Sequence, residues 1–174
     1  MFGLIAARGL RVSEALRLRF DDVLPGTVLC IRKTKFNKNR LVPLHPTVAA
    51  ALGRYLVLRR RINTRALHLF LSGDGKQMRL QSVDWTFAVV LKRAGIAPDR
   101  SRRPRIHDLR HTFATRVLQQ CGAQPAAVAR HFVALSNYLG HAHIRHTYWY
   151  LEATPDLMGD IAALAEALVA GRSA

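Results

Sequence analysis

Acidic residues are the first thing this chain lacks. Eleven Asp and Glu stand against 27 Lys and Arg in 174 residues, a formal charge of +16. Such an excess repels a basic partner and suits a polyanion, nucleic acid foremost. A ribosomal or membrane-surface protein can be as basic, but such chains tend to be poorer in apolar residues or to carry one amphipathic helix. Cysteine is nearly absent: Cys30 and Cys121 are far apart, which excludes a disulfide framework and a metal knuckle and fits a reducing, cytoplasmic setting. No apolar run reaches the roughly 18 residues a membrane span needs, and no basic leader precedes the short apolar start, so a soluble protein with no membrane partner is expected. Internal repeats, low-complexity tracts and clear linkers are also missing. With 49% hydrophobic residues the chain can bury one ordinary core, and a single domain over residues 1–174 is expected.

What is present reads as helices around a short hairpin. An apolar helix over the first residues breaks at Gly9; Ser13 is placed to cap the next, with Glu14 in its first turn and Leu16, Phe20 and Val23 spaced to face the core. Arg11 then lies just outside a capped helix, and on local grounds it reads as a solvated surface arginine. Pro25-Gly26 marks a turn, and Val28–Ile31 can pair back with Arg40–Pro43. Between them, Lys33, Lys35 and Lys38 read locally as a solvated, edge-protecting tip. The functional alternative is that one lysine enters a nucleic-acid groove, where an ammonium near phosphates is a usable general acid.

Pro46-Thr47 opens a helix with Val48, Leu52, Tyr55 and Leu56 as its apolar stripe, ending in Arg59-Arg60-Arg61, a solvated or backbone-contacting face. Leu67–Leu71 reads as a strand closed by the turn Ser72-Gly73-Asp74-Gly75. Ser82 is placed to cap a helix that turns Val83, Phe87, Val90 and Leu91 inward and stops at Gly95. The loop that follows carries Arg100, Arg102, Arg103 and Arg105; it can position phosphates without reading sequence, or be plainly solvated.

The chemistry concentrates between His107 and Tyr150. A helix past Pro104 takes Ile106, Leu109, Phe113 and Val117 as its core stripe and leaves His107, Arg110 and His111 on the other side. A His and an Arg three apart share a face and can reach one small ligand, a phosphate above all. Gly122 and Pro125 end this helix and begin a shorter one, and Val133, Leu135 and Leu139 suggest another stopped by Gly140, which leaves His141 at a turn. Of the two tyrosines that follow, Tyr148 shares a stripe with Ile144 and Leu151 and should pack inward, so Tyr150 is free to meet a ligand. Two cations or donors, a further histidine and a phenol are the parts of a metal-free phosphoryl transfer by tyrosine. Thr154-Pro155-Asp156 opens a last amphipathic helix with Leu157, Ile161, Leu164 and Leu168 on its stripe.

Five stretches in order, Gly9-Leu10-Arg11-Val12-Ser13-Glu14, Lys35 before Arg40-Leu41-Val42-Pro43-Leu44, His107-Asp108-Leu109-Arg110-His111, Leu139-Gly140-His141 and Tyr150, resemble the tyrosine recombinase, or phage integrase, family. The resemblance covers nearly the whole chain. It implies a mixed α+β catalytic domain, mainly helical with a small antiparallel β-sheet, acting on double-stranded DNA. Tyr150 would attack a scissile phosphate to form a 3′-phosphotyrosyl link and release a 5′-hydroxyl. Arg11 and Arg110 would hold the non-bridging oxygens, and His141 would donate a further hydrogen bond. Lys35, which takes the family's lysine position ahead of Lys33 and Lys38, would protonate the 5′-oxygen; His107 would assist proton transfer and Glu14 would support the arginine. Lys33, Lys38, Arg100, Arg102, Arg103 and Arg105 would contact DNA, and no cofactor or metal is implied. Set against the family, the chain starts almost at the first arginine motif, so the core-binding domain is expected to be absent, and the stretch from Arg110 to His141 is long.

Three other readings compete. The chain can be a truncated relative that binds DNA or a full-length recombinase without cutting, although all six chemical positions are filled. His107, His111, His141, His143 and His146 can be read as metal ligands, but no carboxylate or cysteine falls at a recognised spacing and the arginine would repel a cation. A type IB topoisomerase would use similar chemistry in a longer chain.

Overall fold

A computed structural model of the protein describes residues 1–32, 39–96, 103–120, 125–140 and 150. These fall into two compact units, Met1–Arg110 and His111–Ala174, with the division inside one helix.

The first unit opens with α1 (Phe2–Arg8), which ends as expected at Gly9, in the left-handed conformation at φ 60°. Helix α2 (Val12–Arg17) follows at once, and a 3-10 turn, Phe20–Asp22, leads into the sheet. That sheet is antiparallel in the order β1 (Val23–Leu24), β2 (Val28–Ile31), β3 (Arg40–Pro43). The expected hairpin forms with Leu29 opposite Val42 and Ile31 opposite Arg40, and the short β1 extends it through the Pro25-Gly26 turn. Strand alternation buries Leu29, Ile31 and Val42 on one face, which is the face Arg40 shares.

Helix α3 (Pro46–Arg60) is apolar on most of its surface; it buries Leu52 and leaves Val57 and Leu58 exposed. Helix α4 (Leu80–Arg93) buries Val83, Phe87 and Leu91 at helical spacing, and Phe87 meets Phe2 at 5.2 Å between ring centroids. With Leu10, Leu18 and Leu69, fully buried between them, these side chains form the unit's core.

Several local expectations are corrected. Ser13 and Ser82 lie inside their helices instead of capping them, because α2 and α4 begin earlier, after Arg11 and Arg79. The acid at the third helical position does the capping: Glu14 accepts the Arg11 amide at 2.8 Å, and Asp22 and Asp108 do the same for Arg19 and Arg105, both at 2.8 Å. Val90 is on the exposed side of α4. Leu67–Leu71 forms no ladder; it makes isolated bridges, Arg19 with His68 and Leu71 with Gln77, although the turn after it closes as expected through Ser72 N to Lys76 O at 2.9 Å. Of the arginine run, Arg60 and Arg61 are exposed but Arg59 is buried. Its guanidinium donates to the carbonyls of Ala66 and His68 at 2.7 and 2.9 Å and lies over the Phe20 ring.

Helix α5 (Ile106–Gln119) starts where expected, but its buried positions are Ile106, Arg110, Ala114 and Leu118. Leu109, Phe113 and Val117 are only half-buried, so the inner stripe is rotated by one residue and takes Arg110 in with it. In the second unit, α6 (Pro125–Leu139) runs unbroken for 15 residues where a short helix and a second one were expected. It stops at Gly140, as expected, with φ 65°. Val128, Phe132, Leu135 and Leu139 face the core, so Leu135 and Leu139 are inward as expected, whereas Val133 is exposed. These side chains form one cluster with Ala114, Leu118 and Tyr150. The expected packing of Tyr148 and the final helix at Thr154-Pro155-Asp156 lie outside the described residues.

Candidate active site

The first unit assembles an arginine-rich centre around one turn. Gly9, in the left-handed region, ends α1 abruptly and lets Leu10 plug the core before Arg11 opens α2. Arg110 reaches this turn from α5, donating from Nη1 to the Gly9 carbonyl at 2.5 Å. An arginine only 1% exposed needs such a partner. Two cationic side chains far apart in sequence are thereby held at one piece of backbone.

Glu14 fixes the other side. Its carboxylate, 6% exposed, accepts the Arg11 amide at 2.8 Å and Arg11 Nη1 at 3.0 Å. Arg40 grips both of its oxygens, at 2.9 and 2.8 Å. Burial alone would push the carboxyl group's pKa up, but the charge and hydrogen bonds of Arg40, joined by those of Arg11, hold it below its ordinary value. The carboxylate therefore stays ionised and the two guanidiniums can approach without net repulsion.

His107 is exposed in the first turn of α5. It lines an open groove of about 680 Å³ with Val12, Trp85, Arg103 and Arg105. Arg103 and Arg105 are exposed, and Arg105 pairs with Asp108 at 3.6 Å. Groove, charge and histidine suit an extended anion at this surface.

Tyr150 contradicts the expectation of an open phenol. It is 3% exposed, because its ring completes the apolar cluster of the second unit, and it stands 5.3 Å from the His111 ring, centroid to centroid. An aromatic body buries more favourably than it solvates, so helical facing alone was a poor guide here. Lys33, Lys35, Lys38, Arg100, Arg102 and His141 lie outside the described residues. So do His143 and His146; among the described residues no three His, Cys, Asp or Glu side chains are grouped as metal ligands.

Arg40 and His111 were not singled out for these contacts. The signal for Arg40 was available: on a β-strand it shares a face with buried Val42, and an inward-facing arginine calls for an acid.

The fold places the chain among recombinase catalytic domains. It superposes on the crystal structure of XerA recombinase with a TM-score of 0.75 at 27% identity, over 94% of this chain and 54% of that one. It also superposes on XerH site-specific recombinase bound to difH substrate in a pre-cleavage complex, with a TM-score of 0.68 at 26% identity, over 86% of this chain and 41% of that one. In sequence it is 40% identical over 164 residues to the putative integrase/recombinase y4rB of Sinorhizobium fredii, covering 91% of this chain and 52% of that protein. Residues 1–156 match the phage integrase family, and the chain belongs to it. It spans about half the length of the curated relatives it matches. Among the described residues no helix is long and apolar enough to cross a membrane.

Proposed function

We propose that this chain is the catalytic part of a site-specific recombinase that cuts and rejoins double-stranded DNA through a 3′-phosphotyrosyl intermediate. The observation that carries this reading is the convergence of Arg110 on the turn that presents Arg11, with Glu14 bracing that arginine. A pair of guanidiniums on rigid backbone is suited to the non-bridging oxygens of one phosphodiester, whose charge grows as a fifth oxygen approaches phosphorus.

In this reading Tyr150 is the nucleophile, His141 donates a further hydrogen bond to the phosphate, and Lys35 protonates the departing 5′-oxygen. His107 assists the proton transfer from the tyrosine. Lys33, Lys38, Arg100, Arg102, Arg103 and Arg105 contact the phosphates on either side. Because Tyr150 is packed among apolar side chains, it has to be uncovered before it can attack. The ester bond energy is kept in the tyrosyl link, so the reaction as proposed calls for neither nucleotide nor metal. Further recombinase subunits are its partners in this reading, and the relation to XerH, solved on its difH substrate, supports DNA as the ligand.

The test is covalent capture on a nicked suicide duplex, run with and without a partner carrying an intact N-terminal half. The wild-type chain is expected to form a denaturation-resistant adduct that EDTA leaves unchanged, and Tyr150→Phe to form none while still binding. Capture that persists in Tyr150→Phe and vanishes in Tyr148→Phe overturns the assignment.

A further inference from the structure

A second group of cations, unused by the proposed chemistry, lines a cleft of about 270 Å³ with Glu14 in its wall. Chain geometry puts them there. Helix α2 ends at Arg17, and Leu18 and Arg19 leave it in extended backbone. Leu18 is drawn into the core at 2% exposure, so the arginines on either side of it stay outside, where both line the cleft. Their backbone is held: Leu69 N donates to Leu18 O at 2.7 Å, and Arg19 forms a bridge with His68. Residues paired across such a bridge have neighbouring side chains, and His68 is half-buried in the same cleft. The cations are not equally engaged. Arg32 donates from Nε to Asp22 Oδ1 at 2.5 Å and from Nη2 to the Asp21 carbonyl at 3.3 Å, and the other oxygen of Asp22 accepts the Arg19 amide. Glu14 is answered by Arg11 and Arg40. Among the described residues the guanidiniums of Arg17 and Arg19 make no hydrogen bond or ion pair. The helix dipole gives Arg17 a reason to sit in the last turn of α2, but Arg19 lies past that turn. Burial, and then the charge of Arg19, hold the His68 pKa below the ordinary imidazole value, as a nearby uncompensated cation does.

We propose that this cleft is a second phosphate site, in which Arg17 and Arg19 grip one backbone phosphate of the duplex away from the bond that is cut, with His68 as a further donor. The inference rests on the reading of double-stranded DNA as the ligand. Guanidiniums on tethered backbone hold a phosphate with little loss of freedom, and contacts of this kind set the register of a protein on the duplex without reading bases. Arg11 and Arg17 stand six residues apart, roughly 9 Å along a helix, a length matched by roughly two to three base pairs of duplex. The cleft thereby fixes how DNA lies across the arginine centre and takes no part in the chemistry.

The test measures binding of uncut duplex as a function of salt for wild type, Arg17→Gln, Arg19→Gln and the pair in the full chain. Arg54→Gln, at an exposed arginine of α3 that does not line the cleft, is the control. One shared phosphate means that the pair lowers the slope of log affinity against log salt by about 0.9, with each single change giving part of that fall. A fall of about 1.8 in the pair means two separate phosphates, and a fall no larger than that of Arg54→Gln means net charge alone; either overturns the proposal. NMR of the His68 ring, assigned by its loss in His68→Gln, adds a readout that net charge does not mimic. Bound duplex should raise the His68 pKa toward its ordinary value in wild type, because a phosphate offsets Arg19, and should leave it where it is in the pair. Pyrophosphate at matched phosphate concentration should not move the ring; a shift as full as that with duplex assigns the cleft to a free anion and overturns the proposal. A wild-type chain that binds no duplex at any salt sinks the DNA reading and this inference with it, whereas duplex binding with His68 unmoved sinks the inference alone.

Discussion

Glu14 shows how one side chain can tie stability to acidity. Its folded-state pKa is held below the unfolded value, so folding gains stability once the carboxyl is ionised in both states, and loses it as pH falls through the ordinary glutamate range toward the depressed folded value. Thermal melts across acidic pH should therefore show a steeper loss of melting temperature for wild type than for Glu14→Gln, which has no proton to take up at that site. Parallel curves would mean that the carboxylate is already satisfied in the unfolded chain. Arg59 is the matching case for a buried cation. It has no part in the proposed chemistry, yet its guanidinium spans the carbonyls of Ala66 and His68. Arg59→Met keeps the stem and deprives those acceptors of their donors. Urea denaturation should show a loss of about 1–3 kcal/mol, with DNA binding at moderate salt little altered.

At the scale of elements, the turn between α1 and α2 decides where Arg11 points. Gly9 adopts φ 60°, where an added Cβ is strained, and its carbonyl is the acceptor for Arg110. Gly9→Ala should cost about 1–2 kcal/mol in stability. If the turn is what presents Arg11, its cleavage rate should fall further than the loss of folded protein accounts for. A variant with normal cleavage after correction for the folded fraction would separate the turn from the site. Element identity was largely readable from the residues: α1 with its glycine stop, the β2–β3 hairpin, α3 opened by proline and α6 ended by Gly140 all follow from local chemistry. Start points and facing were less so. Ser13 looks like a cap, but the Arg-x-x-acid pattern supplies one at Arg11, as it does at Arg19 and Arg105; Ser82 falls at the third position of α4, whose N-cap Arg79 has no side-chain cap; and a one-residue rotation of α5 turns Arg110 from the outer side to the inner one.

For the molecule as a whole, the charge of +16 is the quantity that governs association. Non-specific binding to duplex DNA should weaken steeply with salt, with a logarithmic slope of about −0.9 for each phosphate neutralised. Charge-removing changes at Arg103 and Arg105, both exposed beside the groove that His107 lines, should each flatten that slope by about one unit where the arginine neutralises a phosphate. Binding that ignores salt would place the basic face away from the nucleic acid.

Composition and periodicity by themselves determined a basic chain of helices around one hairpin, and the ordered motifs pointed to the family, because these depend on neighbours a few residues apart. Only the tertiary structure decided that Glu14 is shared by Arg11 and Arg40, 26 residues beyond it, and that Arg110 is buried against a carbonyl 101 residues away. It also decided that the ring of Tyr150 completes an apolar cluster. Buried ions and aromatic rings take their places from whichever distant group best compensates their loss of water, and no local spacing encodes that partner.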